Sequence, residues 1–160
     1  MGNDRHEIIF WMQKERFIIM NGQRLLILIR DVNEVIGNLE KCTKILQDAE
    51  ENESTVFIEF GLKKIFADFF IIVENFTSMV LKELKKYKIG IDMKKSLQIL
   101  KENNIIDEKI FEFLNEGRMF RNRISHRYKE PSREELMIFI NKNTMNLHNT
   151  LKIMKSMIDK

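Results

Sequence analysis

The sequence predicts an all-α protein, an antiparallel bundle of about five helices. Three observations carry this. Apolar residues recur at intervals of three and four along most of the chain, the period of an amphipathic helix. One proline and six glycines in 160 residues favour long elements over many tight turns. The links between periodic stretches are short, which suits antiparallel neighbours. With 44% hydrophobic residues, a chain of this length supports one core.

Residues 1–23 form an N-terminal extension, and residues 24–160 the bundle domain. The extension reads as a further helix, a partner-binding arm or a segment without fixed structure, and Trp11 is placed to anchor it. The first clear helix starts near Arg24. Leu25, Leu28, Ile29, Val32, Val35, Ile36, Leu39, Cys42 and Leu46 make one stripe. "DAEENEST" breaks it with a polar, acidic link. A second helix runs from about Val56 to Tyr87; its basic end, "KKYK", suits the helix dipole, and Gly90 is the expected stop. A short helix follows at about Met93–Glu102. Asp107 is the expected N-cap of the next, which reaches about Arg127. Pro131 closes that element, and "SREE", Ser132 to Glu135, is a capping-box pattern that opens a last helix running to about Ile158. Ten methionines and twelve phenylalanines at helical spacing read as core rather than as a cofactor box.

Charge and composition narrow the function classes. The formal net charge is only +3, so a local cluster matters more than the total. A single cysteine, Cys42, rules out an internal disulfide and suits a reducing, cytoplasmic setting. The longest strongly apolar run, Leu25 to Ile29, is far short of the ~20 residues a bilayer needs, so no membrane association is expected. The first sixteen residues carry charges of both signs and do not read as a signal peptide.

The segment "GRMFRNRISHRYK" stands apart. It holds Arg118, Arg121, Arg123, Arg127 and Lys129 and no acid, with one of the chain's three histidines among them. On an ideal helix Ile110, Phe113, Gly117, Phe120 and Ile124 face the core. Arg118, Asn122 and His126 then follow one another on an accessible stripe, with Arg121, Ser125 and Tyr128 on a second at its edge. A histidine titrates near neutral pH and takes or gives a proton. A guanidinium meets the charge of a phosphorane with donors in a fixed fork. The set therefore suits attack of an RNA 2′-hydroxyl on the neighbouring phosphorus. No HExxH, Cys/His cluster or paired carboxylates accompany His126, so no metal site is expected. Arg121 and His126 lie ~140° apart on an ideal helix, which suggests a composite site completed by a second copy. Without further context, the charge run alone reads as a solvated helix end, and Tyr128 as an amphipathic plug. His6 and His148 have no such company and read as structural or solvent-facing.

"RNRISHRY" has the form R-x4-H-x-Y with Asn after the Arg, and resembles the signature of the HEPN superfamily, in its HepT-like toxin branch. "FIEFGLKKIFADFFIIVENF", "SLQILKENNIID" and "LNEGRMFRNRISHRY" follow that branch's order, so the resemblance covers about residues 24–158. It implies a HEPN-like bundle that dimerises along its motif helices, and a metal-independent RNA endonuclease with no required cofactor. Arg121 and His126 would be the catalytic pair, with Arg118, Asn122, Arg123 and Arg127 in supporting or RNA-binding places. It implies a toxin–antitoxin module of the type VII kind. The partner would be a MntA-like minimal nucleotidyltransferase that uses ATP to transfer AMP to Tyr128. RNA rather than DNA is the expected substrate. The alternative is a non-catalytic HEPN protein that binds nucleotide or substrate for a nucleotidyltransferase.

Overall fold

The computed structural model describes residues 4–158, with side chains from Gly22 onward. The expectations for the extension's side chains, including His6 and Trp11, therefore lie outside the described residues. Six helices in chain order make up the fold, with no strand among the described residues. They are α1 (Asp4–Gln47), α2 (Glu53–Glu83), α3 (Met93–Glu102), α4 (Glu108–Ser125), α5 (Arg133–Lys142) and α6 (Thr144–Ser156), with a single 3-10 turn over Arg127–Lys129.

α1 and α2 form an antiparallel hairpin, and the apolar stripe of α1 is its inner face. Leu25, Leu28, Val32, Ile36, Leu39 and Leu46 are buried there. The link closes on a reciprocal cap. The Thr55 amide donates to the Asn52 side chain at 3.1 Å, and the Asn52 amide to the Thr55 hydroxyl at 2.8 Å. α2 thus starts three residues before the expected Val56. It also stops earlier than expected, at Lys85 rather than Gly90. Lys85 takes a left-handed conformation (φ 57°), the Lys86 amide reaches the Leu81 carbonyl at 2.8 Å, and the Lys85 amide the Lys82 carbonyl at 3.1 Å. This is a Schellman motif with lysine where glycine is usual. Gly90 (φ 80°) shapes the turn that follows.

α3 and α4 begin as expected. Asp92 accepts from the Lys95 amide and Asp107 from the Ile110 amide, each at 2.8 Å. α4 packs between α2, α3 and α6, while α5 and α6 close over α1. An aromatic cluster fills the centre. Phe66 and Phe70 of α2 lie 5.1 Å apart, Phe139 of α5 stacks on Phe120 of α4 at 4.7 Å, and Phe113 lies 5.8 Å from Phe139. A fully buried phenylalanine contributes ~1.5–3 kcal/mol, as does each buried leucine or isoleucine around it, so the rings add to a core that is mostly aliphatic. Phe57 and Phe60 depart from the core reading and are exposed, at 69% and 57%.

The expected last helix is two. It breaks at Asn143, whose side chain donates back to the Phe139 carbonyl at 2.9 Å and caps α5. The buried amide of Asn146 then donates to Asn143 Oδ1 at 2.8 Å, which fixes the joint. Ser132 opens α5 as expected, accepting from the Glu135 amide at 3.1 Å. Among the described residues, no helix is long and apolar enough to cross a membrane.

Candidate functional site

α4 carries the basic segment to one end of the bundle. Its core face is as the helical wheel predicts. Ile110, Phe113 and Gly117 are buried, and Phe120 and Ile124 are half-buried against the core. Gly117 has a specific reason. A Cβ there would lie 2.1 Å from Cζ of Phe70, so α4 approaches the α2 ring as closely as it does only because this position has no side chain.

The helix ends at Ser125, two residues before the expected Arg127, and this changes the geometry of the motif. His126 takes an extended conformation (φ −116°, ψ 103°), so it leaves the stripe on which Arg118 and Asn122 stand and sits at the helix exit. Contacts from other elements fold the chain back at this point. The Arg123 Nε donates to the Lys129 carbonyl at 3.0 Å, and its guanidinium pairs with Glu135 of α5 at 2.8 Å. On the far side, Lys63 of α2 sits 3.2 Å from Glu59 and 3.3 Å from Glu130. Lys63 is 8% exposed, a buried cation held by two carboxylates. Pro131 is buried behind them. The 3-10 turn is thus stapled at its C-terminal end from two sides, and Tyr128 projects from it at 81% exposure.

The motif side chains therefore stand in different places. Asn122, His126, Arg127 and Tyr128 are exposed, and the His126 and Tyr128 rings lie 6.0 Å apart. Arg118 is half-buried and donates to Asn115 Oδ1 at 3.2 and 3.0 Å. Arg121 is half-buried on the side facing α2, where its guanidinium lies 3.7 Å from Glu74. The Ser125 hydroxyl donates to the Arg121 carbonyl at 3.3 Å, a local helix contact with no sign of a nucleophile's partner. Among the described residues, no hydrogen bond joins Arg121 to His126. Arg123 is engaged in holding the turn rather than free for a ligand.

The acids that meet these arginines, Glu74 and Glu135, come from other helices and were not visible in a segment free of acids. Lys63 did leave a signal. It lies three residues before Phe66 and seven before Phe70, on the apolar stripe of α2. His148 also gains a partner, Glu40 of α1. Among the described residues, no group of three or more histidine, cysteine, aspartate or glutamate side chains gathers where a metal ion would sit.

Compared with known proteins, the chain matches a family model described as ribonuclease HepT-like over residues 32–154. A solved structure, the cytosolic protein of unknown function YutE from Bacillus subtilis, has the same fold. The TM-score is 0.60 at 16% identity, covering 78% of this chain and 86% of that one. No curated protein matches.

Proposed function

Because the chain belongs to the HepT-like ribonuclease family, we propose that it is an RNA endonuclease toxin whose chemistry runs at the exit of α4. The observation that carries the reading is the stapled turn, which holds an exposed histidine and an exposed tyrosine beside an arginine-rich last helical turn. The His126 imidazole takes the proton of a ribose 2′-hydroxyl. The O2′–P bond forms, the P–O5′ bond breaks, and the 5′ oxygen leaves with the proton that the imidazolium gives back. The products are a 2′,3′-cyclic phosphate and a 5′-hydroxyl. Arg121 meets the charge that gathers on the phosphorane, while Arg118, Asn122 and Arg127 hold the flanking phosphates. No step calls for a metal.

Arg121 leans towards α2 and His126 leaves the helix, so we place the complete site between two copies, with Arg121 of one chain serving His126 of the other. Tyr128 is the switch. AMP transferred to its hydroxyl from ATP by a MntA-like nucleotidyltransferase adds a phosphate and an adenine to an anion site, which repels and blocks RNA. Its exposure supports this, because a transferase reaches it without unfolding the bundle.

The test is cleavage of RNA in excess chelator by the wild type and by His126→Ala and Arg121→Ala, together with intact mass after co-expression with a nucleotidyltransferase. Cleavage by the wild type, loss of at least 100-fold in each variant, and AMP-sized additions absent in Tyr128→Phe are expected. The separation of Arg121 from His126 within one chain favours a second reading, a non-catalytic nucleotide- or substrate-binding partner. RNA left intact by wild-type protein that binds ATP would establish it.

A further inference from the structure

A second concentration of positive charge lies at the other end of the bundle. Between residues 82 and 95 stand six lysines against two acids, Glu83 and Asp92, a local charge of +4. The motif segment, residues 117–129, adds five cations and no acid. The whole chain carries only +3, so everything outside these two segments sums to −6. The excess of cations is thus concentrated in two segments.

The second end is built as a cleft of about 460 Å3 between the end of α2 and α3. Lys86, Lys88 and Lys95 line it together with one acid, Glu102, beside Ile89, Ile91 and Ile99. Ile89 is 97% exposed. Lys85, Lys86, Lys88, Lys94 and Lys95 form no ion pair with a carboxylate among the described residues. Lys85 stands in this segment despite its backbone, since it occupies the left-handed position of the Schellman motif. A non-glycine residue there costs on the order of 1 kcal/mol.

We propose that this cleft is an accessory track for the RNA backbone, a second contact point that holds a strand whose reacting phosphate lies at the motif end. The inference rests on the ribonuclease reading above. The composition of the patch favours RNA over an acidic protein face. It contains lysine and no arginine, whereas lysine is depleted and arginine enriched at protein interfaces. Lysines with no carboxylate partner among the described residues bind phosphates as point charges without reading sequence. The geometry sets a length. The Lys101–Glu108 pair and the Lys86–Asn103 hydrogen bond place the cleft at the start of α4, and the motif lies at its end. Eighteen helical residues span about 27 Å. A stacked single strand covers that with about eight nucleotides.

The test is fluorescence anisotropy with labelled 2′-O-methyl RNAs of 6 and 16 nucleotides, which have no free 2′-hydroxyl to attack, titrated across a salt series. The wild type is compared with the triple variant Lys86→Gln, Lys88→Gln, Lys95→Gln. For the 16-mer, the variant is expected to lose at least tenfold in affinity at low salt. The slope of log K against log salt should fall by about 2, three phosphate contacts at ~0.7 each. The 6-mer, short enough to sit at the motif end, is expected to bind both proteins alike. An unchanged 16-mer slope overturns the track and leaves the ribonuclease reading standing. Wild-type protein that binds neither RNA overturns both. A variant that keeps full RNA affinity but no longer retains a nucleotidyltransferase in pull-down makes the cleft a protein-docking surface instead, which also overturns the proposal.

Discussion

Gly117 and Lys63 show how single positions set up the α4 exit. A methyl group at Gly117 would meet Cζ of Phe70 at 2.1 Å, and that ring is itself hemmed in by Phe66 and Phe69 at 5.1 and 5.2 Å. The ring cannot swing away, so Gly117→Ala is expected to lower stability by about 1–3 kcal/mol. Urea unfolding should show a lower midpoint with the slope unchanged, and adding Phe70→Leu should recover part of the loss. Lys63 acts differently. Removing its charge leaves Glu59 and Glu130 facing one another without a cation. Lys63→Met is expected to cost about 2 kcal/mol and to speed amide hydrogen exchange in residues 126–130 while the centre of α2 stays protected. Uniform exchange across both segments would show that the staple is not local. At Cys42, burial pushes the thiol above its ordinary value, so little thiolate is present at neutral pH. Alkylation of native protein should be slower than that of a free thiol and should accelerate in urea.

Element ends carry most of what distinguishes this bundle from a generic one. Asn143 separates α5 from α6 by capping one helix while holding Asn146 at the start of the next. Asn143→Ala removes a cap and leaves the buried Asn146 amide without its acceptor, an expected loss of about 1–3 kcal/mol that thermal unfolding would report. The helices themselves were legible. The stripe of α1, the Asp107 cap and the core face of α4 follow from spacing and side-chain chemistry alone, because both act within a few residues. The ends that were misplaced depend on something further away or less usual. The α5–α6 break lies in a run whose apolar period continues through it, and its cause is a pair of side-chain amides. α4 stops at Ser125 because Arg123 and Lys63 draw the following turn onto α5 and α2, contacts between residues far apart in sequence. α2 stops at a lysine in a conformation usually left to glycine. For the candidate site, the residue types and their order were readable, and so was the accessibility of His126. The disposition of Arg121 against His126 was not, because it depends on where the helix ends.

At the scale of the whole molecule, positive charge is concentrated at two places, the exit of α4 and the cleft between α2 and α3. Its net charge of +3 understates these local concentrations. The modification proposed for Tyr128 raises a separate question, how long the protein would survive with and without it. The tyrosine stands outside the aromatic core, on a turn stapled to α2 and α5 through Lys63 and Arg123 and not through its own ring. A group attached to its hydroxyl displaces no packed atom and, among the described residues, breaks no hydrogen bond. The unmodified protein and the AMP-bearing form proposed above should therefore melt together and resist proteolysis equally. A cell that holds such a protein in reserve would not see the silenced pool cleared faster than the active one, and its abundance would carry no record of which state it is in.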